Sequence, residues 1–135
     1  MLLLDHLIAA DEQHAVTSVR ADAQSWYADT PKTMPAWIGI ELMAQTIAVH
    51  VGWNKAQQGL PPKQGVLLGT RAYRCDEAVF QGALEVEATL SFMDESGLGA
   101  YDCCIRMDGR SVATATVKVF EPEDFQQFFN SQSNS

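Results

Sequence analysis

Glu41 is the residue whose surroundings point first to chemistry. It stands inside an otherwise apolar segment, Ala36 to Gln58, and Gln45 follows four positions later. On a helix that spacing puts both side chains on one face, about a turn apart. Ala48 and Gly52 continue the stripe with small side chains. A polar pair beside small residues suits a cleft into which a substrate slides. Desolvation in an apolar cleft raises the pKa of a carboxyl, which can then act as a general acid near neutral pH. The plainer alternative is a Glu on the exposed edge of the helix, bonded to Gln45. Unpaired N–H groups of the first turn, around Trp37, Ile38 and Gly39, could bind a carbonyl oxygen that gains negative charge. Every helix has such an end, so this signal is weak alone.

The other reactive side chains do not assemble into a motif. His6, His14 and His50 are scattered. His50 lies about half a turn round the helix from Glu41, so it should face away from it. A structural or surface role is expected for each. Cys103 and Cys104 are neighbours on an expected strand and should point to opposite faces, as packing residues. With Cys75 they are too few and too unevenly spaced for a disulfide framework, which leaves reduced thiols and a cytoplasmic location as the expectation. No metal-ligand spacing, Ser-His-Asp set, phosphate loop or dinucleotide glycine pattern is present, so no metal or cofactor is expected.

The elements that must hold Glu41 can be read from period and punctuation. Leu2 to Ala10 opens the fold as a strand broken near Asp5, and Ala15 to Ala21 alternates as a half-buried strand does. Asp22 to Pro35 shows no clear period. Pro35 then suits the entry of a long helix, Ala36 to Gln58, which Gly59 and Pro61-Pro62 end. Apolar residues fall on nearly all its sides, so it is expected to be buried all round. Four strands follow, Val66 to Tyr73, Ala83 to Phe92, Leu98 to Met107 and Ser111 to Phe120. Turns at Asp94 to Gly97 and at Asp108-Gly109 make the later ones antiparallel hairpins. Phe125, Phe128 and Phe129 suggest a short terminal helix. This order predicts an α+β fold: one long helix wrapped by a curved antiparallel sheet of about six strands. A free strand edge suggests a dimer. Residues 1–129 form one domain on this reading, with 130–135 as a flexible tail.

The charge excludes some functions and directs attention to one segment. Acids outnumber bases 17 to 9, for a net charge of −8 over 135 residues. This argues against a nucleic-acid binder or a polybasic membrane protein. The longest uncharged apolar stretch, Leu42 to Asn54, is 13 residues, short of the ~20 needed to span a bilayer. Leu42 to Cys75 holds no acid at all but has four bases, Lys55, Lys63, Arg71 and Arg74. A basic rim there would attract an acidic partner or a phosphate group; ordinary solvated lysines would leave the same pattern.

The segment Met34-Pro35-Ala36-Trp37-Ile38-Gly39-Ile40-Glu41-Leu42-Met43-Ala44-Gln45, closing on Gly52-Trp53, resembles the central helix of hotdog-fold 3-hydroxyacyl-[acyl-carrier-protein] dehydratases. That family has a proline, an acidic residue six later and a glutamine four after that, here Pro35, Glu41 and Gln45. Leu67 to Arg71, a Leu-Leu-Gly-x-Arg strand, and a Cys in the penultimate strand resemble most the dehydratase-like subgroup of aryl polyene biosynthesis clusters. The similarity covers about residues 2 to 122. It implies a dimeric hotdog that removes water from a 3-hydroxyacyl thioester. Glu41 would be the general acid, and Trp37, Ile38, Gly39 and Gln45 would line the substrate site. The substrate would ride on an acyl carrier protein through its own phosphopantetheine arm, with Lys55, Lys63, Arg71 and Arg74 as the docking rim.

One departure changes that inference. The family has a catalytic histidine eight residues before the proline, and Tyr27 occupies that position here. A tyrosine, with an ordinary pKa near ~10, is a poor base at neutral pH. In these dimers the histidine of one subunit works with the acid of the other. The expected partner is therefore a histidine-bearing hotdog dehydratase, with a homodimer of altered chemistry as the rival. The subgroup also carries a few residues before its first strand, including a histidine-proline turn, so a longer native N-terminus is expected. A hotdog thioesterase on acyl-CoA or acyl-carrier protein, using Glu41 alone, and a non-catalytic structural partner are the competing functions.

Overall fold

The computed structural model describes residues 4–21, 34–59, 66–94 and 96–120. Strands β1 (His6–Ala10) and β2 (His14–Arg20) lead to a two-residue strand, β3 (Met34–Pro35), and then to helix α1 (Ile38–Gln57). Strands β4 (Val66–Cys75), β5 (Val79–Phe80), β6 (Ala83–Met93), β7 (Leu98–Met107) and β8 (Arg110–Phe120) follow. Six strands form one antiparallel sheet in the order β1-β2-β6-β7-β8-β4. The α+β expectation of a helix against a sheet of six strands holds. The pairing of β3 with β5 has no counterpart in the sequence reading, because two-residue strands carry no period.

Alternation decides which face of the sheet meets the helix. Leu84, Val86 and Ala88 on β6, Tyr101, Cys103 and Ile105 on β7, and Val117 and Val119 on β8 are buried. Their neighbours Glu85, Glu87, Asp102, Cys104, Arg106 and Thr116 lie on the other face, where Arg106 pairs with Glu85 and Glu87 at 3.3 and 3.1 Å. The turns follow their residues. Asp108 and Gly109 both take positive φ, 54° and 78°, the geometry of a tight two-residue hairpin. Asp94 accepts hydrogen bonds from the Ser96 and Leu98 amides at 3.0 Å.

The helix lays Ile38, Leu42, Met43, Thr46, Ile47 and His50 against the sheet. It is not buried all round, as its composition suggested. Ile40, Glu41, Ala48 and Gly52 are exposed, since one sheet curves over only one side of a helix. The helix ends one residue before the expected Gln58, and Gly59 follows with φ of 69°. The expected terminal helix and the 130–135 tail lie outside the described residues.

Candidate active site

Glu41 sits in the first turn of α1, and its Oε1 accepts a hydrogen bond from the Gln45 amide nitrogen at 3.0 Å. An exposed Glu41 bonded to Gln45 is, in the single chain, the plainer of the two expectations. Its environment is not an enclosed cleft, because Glu41 is exposed in the single chain. On the same helix entry Trp37 is 65% exposed, and Ile40 is also uncovered. The carboxylate thus stands on an apolar helix face for which this chain supplies no opposite wall among its described residues.

The turn that carries Glu41 is held from several sides. Ala36 N–H donates to Ala78 O at 3.0 Å, tying the helix entry to the segment before β5. Ala36 O accepts from Gly39 N–H at 2.9 Å and from the Tyr73 hydroxyl at 2.6 Å. Gly39 N–H is thus engaged within the turn. The N–H groups of Trp37 and Ile38 have no hydrogen-bond acceptor among the described residues, and Trp37 makes no side-chain cap bond. Of the three first-turn positions read from the sequence, Trp37 and Ile38 keep their donors. Gly39 is needed for a different reason: a Cβ there would strike the Tyr73 hydroxyl and stand 3.1 Å from Ile105 Cδ1.

Tyr73 was not singled out by the sequence. Continued regularly from the pairing of Arg71 with Thr116, the strand would turn Tyr73 outward and Arg74 inward. Between Arg71 and Arg74 the pairing with β8 shifts by one residue, and Ala72 takes φ of 54°. Such a bulge re-aims side chains. Ala72 and Arg74 are exposed, while Tyr73 packs half-buried against the core. Burial first, and the neighbouring Cys75, push its phenol above the ordinary range, so the hydroxyl keeps its proton and donates. A tyrosine between two arginines in an edge strand was the available signal, but a bulge has no marker in sequence.

The remaining expected residues fall as follows. Tyr27 and Lys63 lie outside the described residues, as does the Arg71 side chain. Lys55 is in the last turn of α1, whereas Arg74 adjoins Tyr73 near the first turn. A helix rises 1.5 Å per residue, so these two ends are on the order of 25 Å apart. Arg74 also lies on the far side of the sheet, lining an open concavity of about 520 Å³ with Glu87, Asp102 and Thr116. Lys55 and Arg74 therefore do not share one rim. His50 is buried and turned away from Glu41, as its spacing implied; it bonds Asp11 O and the Tyr101 hydroxyl at 2.9 and 2.8 Å. Cys103 is buried, which pushes its thiol up to about 12, and Cys104 faces outward toward Ser111 Oγ at 3.3 Å. No group of His, Cys, Asp or Glu among the described residues could hold a metal ion, and no helix there is long and apolar enough to cross a membrane.

The comparisons agree with this arrangement. The sequence matches the family described as ApeP-like, ApeP dehydratase, over residues 1–130. Among solved structures, the chain is similar to "The Dehydratase Heterocomplex ApeI:P" from Xenorhabdus doucetiae at 27% identity. That match has a TM-score of 0.83 and covers 96% of this chain and 88% of that one. A variant of the phenylacetic acid degradation protein PaaI from Thermus thermophilus matches at 16% identity and TM-score 0.65, covering 85% and 90%. A hypothetical thioesterase protein with coenzyme A from Streptococcus pneumoniae matches at 15% and 0.66, covering 86% of each chain. These last two likenesses speak for the fold alone. A search of curated proteins gives no match. With one helix against a six-stranded antiparallel sheet, and a family match spanning nearly its whole length, this chain is a hotdog protein and belongs to the ApeP-like dehydratase family.

Proposed function

We propose that this chain is one subunit of a heterodimeric dehydratase that removes water from 3-hydroxyacyl thioesters. The observation that carries the reading is Glu41: a carboxylate bonded to Gln45, on a helix face left open and flanked by exposed Trp37 and Ile40. A second hotdog subunit laid on that face would desolvate the carboxyl and supply the missing wall. Similarity to a structure named as a dehydratase heterocomplex supports a partner that is a different hotdog chain. Tyr27 at the position of the family histidine supports it independently, since the base must then come from elsewhere.

In this reading the partner's histidine removes the proton on C2 of the acyl chain. The electron pair forms the C2–C3 double bond, and the C3 hydroxyl leaves with a proton from Glu41 as water. Trp37 and Ile38 N–H donate to the thioester oxygen as it gains charge. Gln45 holds the carboxyl in place. The substrate carrier is an acidic acyl carrier protein with a phosphopantetheine arm, as in a fatty-acid-like or aryl polyene pathway. Lys55, Lys63, Arg71 and Arg74 would then serve as separate anchor points for it.

The test is dehydration of a 3-hydroxyacyl carrier protein by this chain combined with a histidine-bearing hotdog dehydratase. Glu41→Gln should abolish water loss without affecting assembly. Retained activity in that variant refutes the role of Glu41. Release of free thiol from acyl-CoA by the chain alone would instead establish a thioesterase. Wild-type dehydration with Glu41→Ala would leave the chain a structural partner.

A further inference from the structure

Tyr73 connects the edge strand to the turn that bears Glu41, and the proposed reaction does not yet use it. Its hydroxyl donates to Ala36 O at 2.6 Å. The same carbonyl accepts Gly39 N–H at 2.9 Å, so two donors converge on it from the strand and from the helix. Gly39 has no side chain, which lets the hydroxyl approach; an added Cβ would collide with it. The bulge at Ala72 turns Tyr73 inward, and Ala72 accepts a left-handed φ of 54° to do so. A hydroxyl from the edge strand and an amide from the helix, distant in sequence, thus meet at one carbonyl five residues before Glu41.

We infer that Tyr73 is a positioning residue: its hydroxyl locks the first turn of α1 and so sets where Glu41 meets the leaving hydroxyl. This rests on the dehydratase reading above. A general acid must lie within hydrogen-bond reach of the group it protonates, and small misplacements of reacting groups cost rate steeply. Without the Tyr73 hydroxyl the helix entry keeps Ala36 N–H to Ala78 O and Gly39 N–H to Ala36 O but loses its tie to the edge strand, which loosens where the carboxyl sits. Tyr73 touches no reacting atom; it acts through Ala36 and the turn.

The test is Tyr73→Phe, which removes one oxygen and keeps the ring. In the reconstituted complex, kcat should fall tenfold or more, with KM and the melting temperature close to wild type. Amide exchange at Gly39 should accelerate, because Ala36 O is no longer fixed. Gly39→Ala displaces the hydroxyl from the other side and should reproduce the fall in kcat. Its effect should shrink in the Tyr73→Phe background, where the hydroxyl is already gone. Unchanged kcat in Tyr73→Phe overturns the inference, whatever the exchange rate does. A fall in kcat with unchanged Gly39 exchange overturns it too, since the hydroxyl would then act by another route. Failure of the function itself looks different: the wild-type complex would not dehydrate, or Glu41→Gln would not matter, while the exchange experiment on this chain still reads the turn.

Discussion

Glu41 and Gln45 bond each other on the open side of α1, whereas Thr46 and His50, one and two turns further on, are fully buried on the other side. The buried set is completely paired. Thr46 donates to Leu42 O at 2.9 Å and its hydroxyl also meets that of Thr17 at 2.9 Å. His50 gives its Nε2 proton to Asp11 O and accepts from Tyr101 at Nδ1. Those bonds tie the helix to β2, β7 and the turn after β1. The open set bonds within itself at 3.0 Å, and its carboxylate stands exposed in the single chain. One helix thus carries buried polar groups that fix the fold and an exposed carboxylate that does not, and the side of the helix separates them.

Crossed substitutions sharpen that division most. Glu41→Gln should lower dehydration in the complex by roughly 10²-fold or more, the usual range for losing a general acid, with an unchanged denaturant midpoint. His50→Ala should do the opposite. It should cost about 2–4 kcal/mol of stability through a cavity and two unpaired partners, with activity per folded molecule retained. If Glu41→Gln unfolds the chain, or His50→Ala abolishes activity in folded protein, the division between the faces is wrong.

Trp37→Ala probes the open side away from the acid. A tryptophan 65% exposed in the single chain should become buried by the partner, so its loss should weaken association by about 2 kcal/mol, roughly thirtyfold in Kd. Stability of the isolated chain should not move. Titration of the variant against a hotdog partner measures both. Thr46→Val returns to the buried side, where removing one hydroxyl should cost about 1 kcal/mol, read from equilibrium unfolding.

The smallest effect is an acid one. The amides of Gln13 and His14 hold the Asp11 carboxyl below its ordinary range, and its carbonyl is the one His50 reaches. Its contribution is complete above the ordinary carboxylate pKa and is lost as pH falls through the lowered value. Thermal melts from pH 5 to pH 2 should therefore show a slight loss that Asp11→Asn flattens.

Much of this arrangement was legible before any coordinates. Pro35 and Gly59 bracket the helix, Asp108-Gly109 makes its hairpin, and the Glu41 to Gln45 spacing delivers a real hydrogen bond. Cys103 and Cys104 part to opposite faces because side chains alternate along a strand. Three features were not legible. The β3–β5 pair is too short to carry a period. The Ala72 bulge breaks alternation without a residue that announces it. The basic residues between Leu42 and Cys75 are near in sequence, yet a long helix and a sheet set Lys55 and Arg74 apart.

The amino-acid order alone determined the order of the long elements, the hairpin turns and the alternation along β6, β7 and β8, because these depend on local propensity and a period of two. It also determined that a carboxyl and an amide share one helix face. Only the tertiary structure decided which side of the helix stays open. A helix apolar on nearly every side has no stripe of its own to bury, and it is the curvature of the sheet that leaves Glu41 uncovered. The approach of Tyr73 to Ala36 was likewise decided there, since Tyr73 and a glycine 34 residues earlier meet only once the sheet has closed over the helix.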